Sequence, residues 1–268
     1  MAAIKAFKKI FKNPIVLLPD LLLALFVILM TQLAVLISGV RSVIPEEAEE
    51  LTIEILRDFF GQNYAQILWA IGIFFFITFV VGVIEKIIKL ELITSKVKNK
   101  KPSLIYAWKN RKQFFWRIVL MKVYIFLILL LAIIVIFGVI GLIIYLLINP
   151  FNPDLSVKVS SVVTILLGIA ALISIKLFFL FRYPIMFLTK TTSPNKVLLK
   201  SYKSFKKAKT FTFVTWMVTI GIAILFGFLG IILAIPQLTI LSYVTMLTGV
   251  LHQTWLDMYI FLRFKQKS

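Results

Sequence analysis

The chain has 268 residues, of which 61% are hydrophobic and only 15% are charged. Soluble domains are usually about 45–50% apolar and about 25% charged, so this composition excludes a water-soluble fold. The chain has no cysteine and a single histidine. This composition excludes a disulfide scaffold, a structural zinc site and catalysis by a thiol. The net charge of +19 suggests one of two partners, nucleic acid or an anionic membrane surface. The positions of the basic residues distinguish between them.

Six apolar stretches are long enough to cross a bilayer. A hydrocarbon core of about 30 Å needs about 20 helical residues. None of the stretches alternates polar and apolar residues, as the strands of a membrane barrel would. The sequence therefore predicts an all-α polytopic membrane protein, in which the long third span must tilt or project. The six predicted spans are Ile15 to Val40, Ala65 to Ile84, Ile118 to Ile148, Val162 to Phe181, Phe211 to Ile235 and Leu238 to Leu262.

The basic residues predict the orientation of these spans. If the N-terminus is inside, every Lys and Arg except Arg41, Arg57 and Lys158 falls on or near one side. The positive-inside rule assigns that side to the cytoplasm. We therefore predict a cell-membrane protein with both termini in the cytoplasm. The excess of positive charge then results from the membrane topology. We expect it to attract anionic lipid headgroups rather than DNA or RNA.

Three segments combine an apolar face with lysines on the opposite face, at helical spacing. This pattern is typical of a helix that lies in the membrane interface. It predicts three parallel repeats (1–95, 96–190 and 191–268), each an interfacial helix followed by a helical hairpin. Since any multi-span protein needs basic inner loops, the lysines alone could also be coincidental. The three apolar faces are Ile4, Phe7 and Phe11; Ile105, Trp108 and Phe115; and Leu198, Tyr202 and Phe205.

Local motifs at three places carry a resemblance to a known family. They are Lys12-Asn13-Pro14, the run that starts with Arg182-Tyr183-Pro184, and the Trp255 to Tyr259 segment followed by Arg263. With the helix-plus-hairpin pattern, they resemble the integral membrane domain of glycerophosphodiester phosphodiesterases and its stand-alone bacterial and archaeal relatives. The resemblance implies a membrane architecture. It carries no catalytic residue over, because the family's activity belongs to a soluble barrel domain that this sequence lacks.

The longest predicted outer loop, from Arg41 to Tyr64, is acidic. Pro45 is followed by four glutamates, which suits the positive end of a helix dipole. Leu51, Ile55 and Phe59 then recur at a spacing of four. We predict a short acidic amphipathic helix here, whose polar face is solvated or binds a cation or a partner.

Ionisable residues near the cytoplasmic ends of the predicted spans are candidate functional residues, because charges at membrane depth are costly. They are Asp20, Glu85, Lys122, Lys176 and Asp257. Their similar depth suggests acid–base pairs, for instance Asp20 or Asp257 with Lys122 or Lys176. Alternatively, the side chains reach the headgroups by snorkelling.

His252 lies near the middle of the last predicted span. Ser242, Thr245 and Gly249 precede it on one helix face and form a small, polar stripe. Such residues usually join membrane helices through close packing and hydrogen bonds. A proton or solute path, with Gln32 as a contributor, is the alternative.

No motif for catalysis, cofactor or metal binding is present: the sequence has no phosphate-binding P-loop, no zinc-protease motif and no convergent triad. We predict a non-enzymatic scaffold or lipid-interacting protein. The alternative is a transporter or permease subunit whose cytoplasmic helices contact a protein partner. The residues predicted to face anionic lipid or that partner are Lys8, Lys9, Lys109, Lys112, Lys203, Lys206 and Lys207.

Overall fold

The computed structural model describes residues 2–37, 53–189, 193–234 and 239–267, with side chains over 2–33, 64–65, 67–189, 193–225 and 246–266. Within these ranges all regular structure is helical, which confirms the predicted all-α class. The helices are α1 (Ala2–Phe11), α2 (Leu18–Ile37), α3 (Ile53–Val97), α4 (Leu104–Ile133), α5 (Gly141–Ile148), α6 (Pro153–Phe178), α7 (Arg182–Leu188), α8 (Pro194–Lys207), α9 (Lys209–Ala234) and α10 (Thr239–Lys267).

A proline separates α1 from α2. Pro14 opens a single 3₁₀ turn, Pro14–Val16, directly after Asn13. Proline suits a first helical turn, because its missing N–H would have no partner there. Helix α1 docks through Ala2, Ala6 and Ile10, which recur at a spacing of four and are buried.

Helix α3 is much longer than the predicted second span. It runs for 45 residues, about 67 Å at 1.5 Å per residue, or roughly twice a hydrocarbon core of about 30 Å. Ile55 and Phe59 belong to its first turns, so the predicted acidic helix is not a separate element in the part that the structure describes. Pro45 and Leu51 lie outside the described residues. At the other end, α3 continues past the predicted limit at Ile84 as far as Val97.

Helix α4 joins a predicted interfacial helix to a predicted span. Ser103 caps it, and its Oγ accepts a bond from the Tyr106 N–H at 3.4 Å. The helix then continues without a break past Trp108 and Ile118 into a π-helical turn, Ile134–Ile140, and α5. The separate interfacial helix predicted for the second repeat is therefore wrong.

The described chain bends sharply at one place after α6, between α8 and α9. Helix α7 follows within a few residues of Phe178, and its Ile185, Met186 and Phe187 are buried. Helix α8 then meets α9 at a bend of 103°. Pro236 and Gln237, which separate the last two predicted spans and predict a tight helical hairpin there, lie outside the described residues.

Several helices are long and apolar enough to cross a membrane. Among the described residues three qualify: Ile67–Val97, Leu104–Ile148 and Pro153–Leu188. The bent pair Pro194–Lys207 and Lys209–Leu225 raises the number to four if it counts as one span. These helices indicate a membrane protein, whereas the count of six spans stays a prediction.

The buried apolar side chains gather at one end of the molecule, which we call the inner end. It comprises α1, residues 83–97 of α3, the start of α4, α7, part of α8 and residues 255–264 of α10. The outer half of the long helices is packed far more loosely: Trp69 of α3 is 74% exposed, whereas Ile87 is fully buried. Cohesion between the described elements thus comes mainly from the inner end.

Candidate functional site

A buried lysine lies at the centre of the inner end. The Lys89 side chain is only 1% exposed, and its Nζ lies 2.7 Å from Asp20 Oδ1 and 2.9 Å from Asp257 Oδ2. These acids belong to α2 and α10, while Lys89 belongs to α3. One ammonium thus connects three helices that are distant in sequence.

Further polar groups complete this site. Lys86 Nζ lies 2.7 Å from the same Asp257 oxygen, and Glu85 Oε1 lies 3.7 Å from Lys89 Nζ. The Thr254 hydroxyl donates to the second oxygen of Asp20. We call Asp20, Glu85, Lys86, Lys89 and Asp257 the ion cluster; it contains three carboxyl groups and two amino groups.

The ion cluster is stabilising only as a whole. Taking charges out of water costs several kcal/mol per ion, and only close pairing offsets that cost. All five side chains are largely buried, with Lys86 the most accessible at 14%. Removing one member would therefore leave others buried without a counter-charge. The geometry is suited to fixing the positions of α2, α3 and α10.

The structure corrects the predicted partners of the two aspartates. Asp20 and Asp257 do form ion pairs, but with Lys89 and Lys86. Lys122 lies over the Phe79 ring, with its Nζ 5.0 Å from the ring centroid. Lys176 is exposed.

Sequence reasoning missed Lys86 and Lys89 because both were assigned to a solvated cytoplasmic segment. One signal could have identified Lys89. It stands four residues after Glu85, on the same helix face, and Ile87, Ile88 and Leu90 occupy the neighbouring faces with apolar side chains. A charged residue within such a sequence is typical of a buried pair.

The predicted path through His252 is described only in part. His252 is half-buried on α10, two residues before Thr254 of the inner end. Gln32 is exposed on α2. The side chains of Ser242 and Thr245 lie outside the described part, so the stripe stays a prediction.

Six of the seven lysines predicted to form a lipid or partner face are exposed: Lys8, Lys109, Lys112, Lys203, Lys206 and Lys207. Lys9 differs from these, because its Nζ donates to the Lys96 carbonyl at 2.9 Å and to Asn99 Oδ1 at 3.0 Å. Burial lowers the pKa of the Lys9 ammonium from its usual range, and repulsion by Lys96 adds to that effect. Lys9 is therefore a structural residue.

A second lysine contacts the same helix end. Lys265 Nζ donates to the Val97 carbonyl at 2.9 Å. The last carbonyls of a helix have no partner within the helix, and the negative end of the dipole favours cations. Lys9 of α1 and Lys265 of α10 thus cap the C-terminus of α3.

The apolar face predicted for α8 contacts protein. Ser201 Oγ donates to the Phe178 carbonyl at 2.9 Å. The Phe178 ring lies 5.4 Å from the Tyr202 ring and 4.9 Å from the Phe205 ring, between centroids. Leu198 is buried as well. Phe178 of α6 therefore covers part of this face, and the interfacial position of α8 stays a prediction.

In α1 the predicted apolar face is divided. Phe7 packs on Trp255 with ring centroids 5.4 Å apart, and the Trp255 Nε1 donates to the Ala3 carbonyl at 3.2 Å. Ile4 and Phe11 are exposed. One part of this face therefore holds α1 on α10, while the other part is open.

Two cavities adjoin the inner end. An apolar groove of about 570 Å³ lies between α2, α3 and the start of α4, with Phe26, Ile84 and Trp108 among its walls and Glu85 on one side. A polar cleft of about 540 Å³ lies between the end of α3 and the start of α4. Within the described residues, no group of three His, Cys, Asp or Glu side chains could hold a metal ion.

The chain matches no protein-family model, no curated protein and no solved structure.

Proposed function

We propose that this protein is a non-enzymatic integral membrane protein of the cell membrane, which binds anionic lipid at a basic cytoplasmic face. The proposal includes six spans, both termini in the cytoplasm, and three repeats of a helical hairpin, of which the first and third begin with a separate interfacial helix. The observation that carries it is the bend of 103° between α8 and α9. If α9 crosses the bilayer, α8 extends along its surface.

The side chains of α8 suit that position. Val197, Leu198 and Ser201 are buried against the rest of the protein, whereas Lys203, Lys206 and Lys207 are exposed. Basic residues next to an anionic membrane contribute about 1 kcal/mol each. Three such lysines on one short helix would concentrate anionic headgroups around the inner end.

The apolar groove adds a place for the lipid chain. Its walls come almost entirely from apolar side chains of α2, α3 and α4, including Leu22, Leu23 and Ile88. Trp108 and Lys109 also line it, and both are exposed. An aromatic ring and an ammonium beside an apolar groove suit the boundary between an acyl chain and its headgroup.

The repeat hypothesis is supported by the first and third repeats. In both, a short lysine-bearing helix (α1 or α8) precedes a pair of long helices, and the members of each pair pack on each other. The second repeat has the same long pair but continues its first helix without a bend. The resemblance to the phosphodiesterase membrane domain likewise stays a prediction.

Energy transfer from tryptophan to pyrene-labelled lipid tests the proposal. The full-length chain is placed in nanodiscs of neutral lipid that contain either labelled phosphatidylglycerol or labelled phosphatidylcholine. We expect enrichment of the anionic lipid, and a loss of at least about fivefold when Lys203, Lys206 and Lys207 are all changed to Glu. Lys158→Glu, at the N-terminal part of α6, is the control and should change little. Equal transfer to both lipids would contradict the proposal.

The second candidate is a transporter or permease subunit, which the ion cluster favours. Ionisable residues in membrane segments often mark ion or proton paths. Its test is proton flux into vesicles that hold the full-length chain and a pH-sensitive dye. Flux that Asp20→Asn abolishes would favour this function over the first.

A further inference from the structure

The polar cleft between α3 and α4 has the composition of an anion-binding site. Its volume is about 540 Å³, and four cationic side chains line it, namely Lys98, Lys100, Lys101 and Arg117. Glu91 is the one acidic side chain among the lining residues. We call this cavity the basic cleft.

Uncharged hydrogen-bond donors are interleaved with the cations. Tyr106, Asn110 and Gln113 line the cleft from successive turns of α4, and Ser95 lines it from α3. A hydroxyl or amide group adds directional bonds to the less directional attraction of a lysine. The site therefore offers both charge and orientation to a bound anion.

The wall formed by α3 is held from outside the cleft. Asn99 adopts a left-handed backbone conformation (φ 58°) that ends the helix. The Lys98 N–H donates to the Thr94 carbonyl at 3.0 Å and the Lys100 N–H to the Ser95 carbonyl at 2.8 Å. Lys9 binds Asn99 Oδ1 from the other side. These bonds fix the backbone that carries Lys98 and Lys100, two of the four cations, before any ligand arrives.

The wall formed by α4 rests on the aromatic core of the inner end. Phe114 stacks on Phe187 with ring centroids 4.4 Å apart. The Arg117 guanidinium carbon lies 5.6 Å from the centre of the Phe114 ring. This cation–π contact positions the guanidinium but uses none of its N–H groups for a directed hydrogen bond. Asn110 Nδ2 donates to Glu91 Oε1 at 3.2 Å, so the acidic side chain is engaged in joining α4 to α3.

A phosphate group fits this arrangement best. Its several oxygens can accept from a planar guanidinium in a forked geometry and from lysines at the same time. Trp116, next to Arg117, is exposed, and exposed tryptophans are enriched where a membrane helix meets the headgroups. The Arg117 end of the cleft would then lie at headgroup depth, with the lysines extending into the aqueous phase.

We propose that the basic cleft binds a phosphate group, carried either by a lipid headgroup or by a soluble anion. This inference deepens the proposed function. It rests on that function only if the phosphate group belongs to a lipid headgroup. A cleft that binds free phosphate is independent of lipid recruitment by α8.

The test measures two probes with the full-length chain. Inorganic phosphate is titrated into detergent-solubilised protein by calorimetry, and bound phosphatidylglycerol is counted by native mass spectrometry after release from nanodiscs. We expect saturable binding at one site for at least one probe. Lys101→Gln with Arg117→Gln should weaken it by at least about tenfold.

The control variant carries the same charge change outside the cleft. Lys5→Gln with Lys12→Gln removes two exposed charges from the N-terminal region and should leave the affinity within about twofold. Arg117→Lys keeps the charge but loses the fork, so its affinity should fall between wild type and the double variant. Charge reversal at Lys203, Lys206 and Lys207 should leave phosphate affinity unchanged, which separates this site from the lipid face.

Three outcomes would overturn the proposal. One is the absence of saturable binding of both probes. Another is equal affinity of wild type and the Lys101 and Arg117 variant. The third is an equal loss in the control, since binding would then follow net charge alone. Binding of phosphate alone would identify a soluble anion as the ligand, and binding of phosphatidylglycerol alone would identify a lipid.

Discussion

The two halves of α3 are both rich in large apolar residues but differ in their surroundings. In the outer half, Trp69, Phe75 and Phe76 are largely exposed. In the inner half, Ile87 and Ile93 are fully buried. A single continuous helix therefore passes from a loosely packed environment into a packed protein core.

The difference shows that apolar content alone does not distinguish a lipid-facing from a protein-facing surface. Lipid chains are as apolar as Leu, so the outer half gains little by packing on other helices. The inner half also carries Glu85 and Lys89, which need partners from other elements. The paired charges and the buried apolar side chains of α3 thus lie in the same part of the helix.

The largest expected effect comes from removing the central ammonium of the inner end. Lys89→Ala leaves Asp20, Glu85 and Asp257 with Lys86 as their remaining cation, and should cost about 3–5 kcal/mol of stability. Thermal unfolding in detergent, followed by tryptophan fluorescence, measures the loss. Lys176→Ala, at an exposed lysine, should stay within about 0.5 kcal/mol. Similar melting temperatures for the two variants would mean that the ion cluster does not hold the inner end together.

A matched pair of truncations on α3 compares its two halves directly. Ile93→Ala opens a cavity in the core and should cost about 2–5 kcal/mol. Phe75→Ala removes a larger side chain from an exposed position and should cost under about 1 kcal/mol in detergent. A larger loss of stability for Phe75→Ala than for Ile93→Ala would contradict this expectation. It would mean that the outer half of α3 packs on a second copy of the protein or on residues outside the described part.

The smallest effect is expected where α1 is attached. Trp255→Phe keeps the ring against Phe7 but removes the Nε1 bond to the Ala3 carbonyl, at a cost of about 1 kcal/mol. Faster proteolysis near residue 12 would report the loosening of α1. Trp69→Phe on the outer half, which is exposed, is the control and should not change that rate.

The sequence predicted the acids of the ion cluster but not its cations. Asp20 and Asp257 were identified because each is a short charged residue within an apolar stretch. Lys86 and Lys89 were placed in a loop, since the predicted span ended at Ile84 while α3 runs to Val97. Where a span ends depends on what surrounds it, and a local hydropathy pattern does not contain that information.

Helix continuity was only partly predictable. From Leu104 to Phe137 the chain has no Pro or Gly, which agrees with the unbroken helix through Trp108. The bend between α8 and α9 also lacks Pro and Gly, and it occurs at Ala208. That bend accompanies the docking of α8 on Phe178, a tertiary contact that periodicity cannot reveal. The same contact places Phe205 against protein, while Lys203, Lys206 and Lys207 are exposed and their role at a lipid or partner face stays a prediction.

The contribution of α10 to the inner end imposes an order on biosynthesis. Thr254 and Asp257 supply partners to Asp20 and Lys89, and Lys265 caps α3. The ribosome makes these residues after every helix that they contact. Until they emerge, the Lys86 ammonium lacks its Asp257 partner, the Lys89 ammonium has only Asp20 and Glu85, and the C-terminus of α3 lacks the Lys265 cap. Helices α2, α3 and α10 can therefore reach their final packing only after the last of these residues has been made.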